Sequence, residues 1–507
     1  MALTYTNYNW SLPKLDTSYD CRVSDISNRL TSGNYVASKM TQVLVHPRPD
    51  SETTANAICK NAYTGIPYRL PVTVQGGCAP YWFTLVDAPT GMTIGEIHSD
   101  TDYGIVEWTN PTAGTHDVVV RCIDQELNAV TSRWTLTVGT DNFVFVDGVS
   151  GNDGTGTGLI GAPYQTLGGL FGTTTHGGKI AILRSGATQT TYNHPDVNTN
   201  LGAADKPNAI MGHYGDATKP IIDQDTHKFI AIDGSDPAVC NIDFQNSPGD
   251  NSGVKDSRFI SSSTSSAINR FVFFELDFSG MVRGDTVNFP GTYGGDNPGA
   301  ITLLNPGSMR QYGTFHSLTI DDFKASMIDM FNVQYWTIEN CTLSNSTDTG
   351  FQGILIKSDA QDGSIRYTDG IVAQDHNFGV IEILGQEQTY VLDRIEVCYC
   401  KIKQTAQRAF TMNNAAANQS SAVEYWAYRN TIQDTIFGGD YNYTFNWEKN
   451  VIINDDTPKI PTSGVNSVIV TTDNAEYATT DGAVDVNMDL TGTARTTYLG
   501  THGAEIV

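Results

Sequence analysis

The stretch FVFVDGVSGNDGTGTGLIGAPYQTL, Phe143 to Leu167, decides how the rest of the chain is read. Gly156, Gly158 and Gly161 spell G-x-G-x-x-G behind an apolar run, Phe143 to Asp147, that reads as a strand. A dinucleotide loop of this form needs a helix after the glycines, its N-terminus facing the pyrophosphate, and an acid about 20 residues on. Here Ala162-Pro163 follows, then polar residues and Gly168-Gly169, which make a poor helix. The next β run, Lys179 to Leu183, ends in Arg184-Ser185 where a ribose-binding acid would stand. No G-K-[ST] occurs, so a Walker loop is excluded as well. The glycines are read as turn-makers, since glycine takes positive φ without steric cost.

Downstream, from Asp141 to about Lys459, short β-rich runs recur, each passing into an Asn- or Asp-bearing turn. CNIDFQNS (Cys240 to Ser247), FFELDFSG (Phe273 to Gly280), SLTIDDF (Ser317 to Phe323) and WTIENCTLSNS (Trp336 to Ser346) are examples. RIEVCYCKIKQT (Arg394 to Thr405), YWAYRNTIQD (Tyr425 to Asp434) and NWEKNVIINDD (Asn446 to Asp456) follow. The clearest superposition sets Ile338 to Leu343 on Val397 to Ile402 and Trp447 to Ile452, each with one apolar residue five positions after another. A solenoid explains that pattern: inward residues of each coil stack on the next, and a turn residue bends the chain round the corner. The inserts Gly249 to Ser266 and Asn288 to Thr314 are expected to leave the wall as loops.

Both ends of this region carry a resemblance. Phe145-Val146-Asp147-Gly148, Gly151 to Thr155 and Ala162 to Leu167 resemble the opening of right-handed parallel β-helix proteins, "yVd…GsDs…aPf-x-TL". Asp489 to Arg495 with Gly503-Ala504-Glu505 resembles the "D-x-x-G-x-x-R…GAyE" close of such chains, without its tyrosine. Ahead of it, from Asn61 to Thr140, alternating runs such as YWFTLV, GIVEW and SRWTLTV sit at β-sandwich intervals. Ala88 to Ile94, Gly104 to Thr109 and Val118 to Asp124 resemble cadherin-like, immunoglobulin-type modules. The expected fold is all-β: an arm over 1–60, an immunoglobulin-like β-sandwich over 61–140, a right-handed parallel β-helix over 141–459 and a β-rich cap over 460–507.

The 507 residues carry 30 Lys and Arg against 55 Asp and Glu, a net charge of −25. So acidic a chain repels phosphate backbones, which argues against nucleic-acid binding. Eight cysteines at irregular spacing, none in C-x-x-C, fit neither a zinc site nor a disulfide scaffold. The N-terminus MALTYTNYNWSLPKLD shows no secretory leader, and no apolar stretch reaches the ~20 residues of a membrane span, so no membrane insertion is expected.

No catalytic, cofactor-binding or metal site is marked by a motif. EF-hand, H-E-x-x-H and G-x-S-x-G patterns are absent, and Gly154-x-Gly156-x-Gly158 lacks the aspartate of a calcium repeat. Of the β-helix polygalacturonase motifs only DD occurs, with Lys401-Ile402-Lys403 an echo of R-I-K. Glycoside hydrolysis needs two carboxyls facing each other across a bond, for which Asp321-Asp322, Asp369, Asp375 and Glu382 are candidates by position, with His376 beside Asp375. The aromatic group Tyr425, Trp426, Tyr428, Tyr441, Tyr443, Phe445 and Trp447 is the expected oligomer contact, with sugar stacking as its alternative. The β-helix resemblance, the missing leader and the spacer module are similar to phage tailspikes and capsid projections. They imply a homotrimeric structural protein on the virion surface, made in the host cytoplasm without a signal peptide. It would dock on the major capsid protein or another virion component through its N-terminal region. The alternatives are a depolymerase or receptor-binding spike acting on a host surface polysaccharide, and a non-viral adhesin.

Overall fold

The computed structural model describes residues 42–494 apart from 48–56, 78–80, 96–103, 125–126, 174–175, 187–188, 194–198, 224–229, 235, 246–257, 263–267, 280–298, 304–308, 322–325, 346–352, 358–359, 373–378, 386–392, 415–422, 439–442, 455–467, 473 and 486–487. Contacts divide the chain into two compact units, Met1–Ala55 with Cys59–Gly139, and Asn56–Ile58 with Thr140–Val507.

In the first unit the strand Ala129–Gly139 pairs antiparallel with Gly114–Ile123, which pairs in turn with Trp82–Asp87. Its sequence alternates strictly, so Ser132, Trp134, Leu136 and Val138 are buried while their neighbours face out. A second sheet orders Tyr68–Pro71, Ile105–Trp108 and Met92–Ile94. The turn before Met92 closes with its N–H on the Pro89 carbonyl at 3.1 Å, and Gly91 takes φ +87° there. A side chain at Gly91 would be strained, which is why the turn carries glycine. The immunoglobulin-type assignment of this unit rests on its sequence motifs alone.

The second unit is a parallel β-helix. One wall is a 12-stranded parallel sheet running from Phe143–Asp147 to Val468–Thr472. The other two walls interleave in a 17-stranded sheet. The second wall stacks Thr191–Asn193, Ile221–Asp223, Asp243–Gln245, Asp277–Phe278, Thr319–Asp321, Thr342–Asn345 and Asp369–Val372, and continues to Ala475–Tyr477. The third stacks Ile230–Ile232, Arg258–Ser262, Gly299–Leu303, Ser326–Phe331, Ile354–Lys357 and Ile381–Gly385. The superposition read from the sequence is the observed register. Ile338, Ile365, Val397, Ala427 and Trp447 stack in one inward column, and Leu343, Gly370, Ile402, Ile432 and Ile452 in another.

From Asn241 to Lys449 each coil passes from the first wall to the second through two residues, the leading one left-handed, whereas longer links join Ile180–Arg184 to Thr191–Asn193 and Ala209–Gly212 to Ile221–Asp223. Asn241, Glu275, Ser317, Asn340, Tyr367, Tyr399, Arg429 and Lys449 hold φ between 48° and 55°. A non-glycine residue in that region costs about 1 kcal/mol or more, and its N–H recovers a partner in the next coil. Asn241 donates to Phe274 O at 2.9 Å and Glu275 to His316 O at 3.0 Å. The second corner residue points inward. It is Ile242, Leu276 and Leu318 in the early coils, Cys341, Thr368 and Cys400 in the middle, and Asn430, Asn450 and Asn474 at the end. Asn430 N and Nδ2 both donate to Asn450 Oδ1, at 2.9 and 3.0 Å, while its Nδ2 also reaches Val397 O. Asn450 repeats the arrangement on Asn474 and Ala427 O.

Glycines inside the barrel make room for aromatic rings. A Cβ on Gly363 would lie 1.9 Å from the Trp336 ring, and one on Gly313 would lie 2.1 Å from Phe271. The loop after Phe143–Asp147 works the same way, which corrects its reading as a row of positive-φ turns. Only Gly158 of that group has positive φ, +75°. Gly151 and Gly156 are required by backbone approach: a Cβ would meet Tyr164 O at 2.1 Å and Asn152 O at 2.3 Å. The loop folds back onto the free edge of the first strand, with Phe145 N on Gly158 O at 2.8 Å and Asp147 N on Tyr164 O at 2.8 Å. It therefore covers an edge that would otherwise recruit another chain. A second correction follows: Leu167–Gly172 is helical despite Gly168-Gly169. Thr166 caps it through Gly169 N, and burial of Leu167, Leu170 and Phe171 outweighs the low glycine propensity.

The inner polar column is open to measurement. Asn450→Ala is expected to lower stability by about 1–3 kcal/mol in denaturant unfolding, because Asn430 N and Ala427 O lose their buried partner.

Candidate functional site

Two carboxylates come together where consecutive coils repeat the same three-residue phrase. Ile242-Asp243-Phe244 and Leu276-Asp277-Phe278 lie in register on the second wall, Asp243 beside Asp277 and Phe244 beside Phe278. The phenylalanines point inward and stack at 5.0 Å with 9° between their planes. Burying such a ring stabilises by roughly 1.5–3 kcal/mol, and strand alternation then turns both aspartates outward. Backbone bonds fix the pair, Asp243 N on Pro220 O at 3.0 Å and Asp277 N on Ile242 O at 3.0 Å.

The two acids have different surroundings. Lys219 Nζ donates to Asp277 Oδ2 at 2.7 Å, with the two side chains 28% and 39% exposed. Gln245 Nε2 donates to Asp243 Oδ2 at 2.6 Å. Burial pushes the Asp243 carboxyl up. The Gln245 amide opposes that, Asp277 adds to it and Lys219 opposes it, and the balance is upward. A half-buried carboxyl pushed up in proton affinity beside one held against an ammonium is the kind of division that acid–base chemistry uses. The face around them is polar. Asp223 and Gln245 are in register, and Thr319, Asp321, Thr342 and Ser344 continue it with short side chains that are exposed or half-buried.

The acids proposed from sequence are dispersed. Asp321 is exposed at the end of its strand and accepts from Ser344 Oγ. Asp369 sits half-buried on the second wall, whereas Glu382 is buried on the third, so the three do not converge. Asp322, Asp375 and His376 lie outside the described residues. Lys401 donates to Asp489 Oδ1 at 2.6 Å, tying the C-terminal segment to the second wall. The aromatic group is corrected as an oligomer contact. Tyr425, Phe445 and Trp447 fill the core, Trp426 and Tyr428 are buried, and Tyr441 lies outside the described residues. The sequence reading missed Asp243 and Asp277, although the recurring aliphatic-Asp-Phe phrase was the signal that marks them.

A second cluster is closed. On the first wall Arg366 stands between Glu339 and Glu396, all three at most 1% exposed. Its Nη1 donates to Glu339 Oε1 at 3.0 Å, Nε to Glu396 Oε1 at 3.0 Å and Nη2 to Ser364 Oγ at 2.9 Å. Tyr428 Oη donates to Glu396 Oε2 at 3.2 Å, and stacked Tyr367 and Tyr399, centroids 5.2 Å apart, lie on the adjoining corner. With no solvent face, this network binds coils to one another. Among the described residues no group of three His, Cys, Asp or Glu side chains is arranged to hold a metal ion. The six described cysteines are buried, and none of them is in a disulfide.

The sequence matches no family model and no curated protein. Among solved structures it is similar to a GH136 lacto-N-biosidase from Eubacterium ramulus, at 11% identity and a TM-score of 0.43 over 66% of each chain. The chain thus spans just under two thirds of that enzyme's length. It is similar as well to a rhamnogalacturonan lyase, at 12% identity and a TM-score of 0.41 over 72% of this chain and all of that one. Likenesses of this size carry no inference about activity.

The open and closed clusters respond differently to mutation. Arg366→Met strands two buried carboxylates and is expected to cost about 3–5 kcal/mol in denaturant unfolding. Asp243 is the opposite case, an acid whose folded-state affinity for the proton exceeds its unfolded one. Its contribution is present below the unfolded pKa and lost as pH rises through the folded one. The unfolding free energy of the wild type should therefore fall more steeply than that of Asp243→Asn as pH rises from acid towards neutral.

Proposed function

We propose that this chain hydrolyses an uncharged polysaccharide laid across the outer face of the second wall. The observation that carries the reading is the in-register pair Asp243–Asp277 with Lys219 bound to Asp277 on an open polar face. Asp243 gives its proton to the glycosidic oxygen as that bond breaks, and the Asp277 carboxylate attacks the anomeric carbon or takes a proton from the water that does. The charge of the face selects the substrate class. Asp223, Asp243, Asp277, Asp321 and Asp369 line it against Lys219, engaged with Asp277, Lys401, engaged with Asp489, and Lys403, and the chain carries a net charge of −25. A polyuronate would be repelled, and β-elimination needs a uronate, so hydrolysis of a neutral glycan fits better.

Purified protein incubated with uncharged surface polysaccharides should release reducing ends. Asp243→Asn and Asp277→Asn should each lower kcat by about 10²–10⁴-fold while the unfolding transition stays in place. Variants as active as the wild type, or a wild type that releases nothing from any uncharged polymer, would remove the reading.

A second reading keeps the chain as a homotrimeric structural projection on a phage particle, docked through residues 1–60 on a capsid or other virion protein. The buried Arg366 clamp and the Asn430–Asn450–Asn474 column support it, since both lock coils together without serving a substrate. In that case a chain lacking residues 1–60 should fail to appear on particles viewed by electron microscopy, and its normal incorporation would refute the docking.

A further inference from the structure

We propose that a small cavity at the far end of the second wall binds a single uncharged sugar residue. The C-terminal segment makes the cavity by folding back onto the outer face of the last coils. Lys401 Nζ holds Asp489 Oδ1 at 2.6 Å, and Ala483 and Leu490 join Val451, Ile453 and Ala475 in one buried cluster. The segment is also pinned to itself, Asp485 N on Asp489 O at 3.0 Å and Thr491 N on Ala483 O at 2.8 Å. Between segment and wall there remains a space of about 260 Å³. Sites that take whole drug-sized ligands run to ~300–1,000 Å³, so this one suits a single small ring.

The lining fits a polyol. On the wall side Lys403 and Gln433 are neighbours in register, both half-buried, and among the described residues neither side chain makes a hydrogen bond or ion pair. On the segment side stands the Asp485 carboxylate, while Ile453, Ala483 and Val484 supply apolar surface. One ammonium and one carboxylate line the space, so an anion would meet Asp485 and a cation would meet Lys403. A lysine only donates, a carboxylate only accepts and a glutamine amide does both, which matches hydroxyls that each donate and accept. The C–H face of a sugar ring finds its place on the apolar side.

The cavity shares its wall with the acid pair. Asp243, Asp277, Thr319, Thr342, Asp369 and Lys401 follow one another in register, and Lys403 stands on the same strand as Lys401. Four coils separate Asp277 from that level, about 19 Å at the ~4.8 Å spacing of paired strands. A neutral chain laid along the wall would therefore end in the cavity several sugar units from the bond it offers to the acids. That continuity rests on the hydrolytic reading above, whereas the binding itself does not.

Saturation-transfer NMR on the full chain tests the site without any turnover. The probes are galactose, glucose and N-acetylglucosamine, with glucuronate and glucosamine as the charged controls. The wild type should bind at least one neutral probe more tightly than either control. Lys403→Met should weaken that binding about tenfold or more and Gln433→Leu about threefold or more, each with the unfolding transition in place. The double variant Asp243→Asn, Asp277→Asn should bind as the wild type does. The inference is overturned if no neutral probe binds, if a charged control binds more tightly than all of them, or if binding survives both cavity variants. Loss of binding in the aspartate double variant overturns it as well. A protein that binds a neutral sugar here yet cleaves no polymer keeps the cavity's role and removes the hydrolytic one, and cleavage without binding does the reverse.

Discussion

Most of the β-helix depends on one constraint: from Asn241 to Lys449 each coil turns from the first wall to the second in two residues, the first of them left-handed. That corner lets the N–H of the turning residue bond to the next coil, and it points the following side chain into the barrel. Because the corner has the same length in all these coils, residues on either side of it keep their register whatever happens elsewhere in the turn. Coil length varies freely, from 20 residues between Asn430 and Asn450 to 42 between Phe274 and His316. Asp243 and Asp277 sit immediately after two such corners, and so they lie side by side even though a long excursion of chain separates them.

This also explains how far the sequence could be read. The repeated runs around Ile338, Val397 and Trp447 straddle the corner, where register is rigid, and their superposition matches the observed columns. The corner residues themselves follow no chemical rule. Asn, Glu, Ser, Tyr, Arg and Lys all adopt the left-handed region there, so no single residue type announces it. Candidate acids chosen by position in the wall failed to converge, because facing across coils depends on register and not on distance along the chain. The glycines of the opening loop were recognised as turn-forming, but their closest neighbours, Tyr164 O and Asn152 O, become visible only when the loop is seen lying on the strand edge.

The two acidic clusters show that burial decides what carboxylates can do. Around Arg366 the two glutamates are enclosed and held by the guanidinium, an arrangement that joins coils and presents no solvent-facing carboxylate. Around Lys219 the same ingredients sit on an open face, with one acid engaged by a cation and the other by an amide. Similar residues on different walls of one barrel thus divide between cohesion and chemistry.

The inner corner column gives the barrel a direction. Ile242, Leu276 and Leu318 cohere by packing, which is indifferent to which neighbour is present. Asn430 and Asn450 instead give their N–H groups to the coil that follows and their amide hydrogens to the carbonyls of the coil before. A solenoid built of leucines can be shortened by whole coils and still close on itself. Here the coils of Asn430 and Asn450 are each completed by their successor, so removing a coil from this stretch leaves a buried N–H of the one before it without its acceptor.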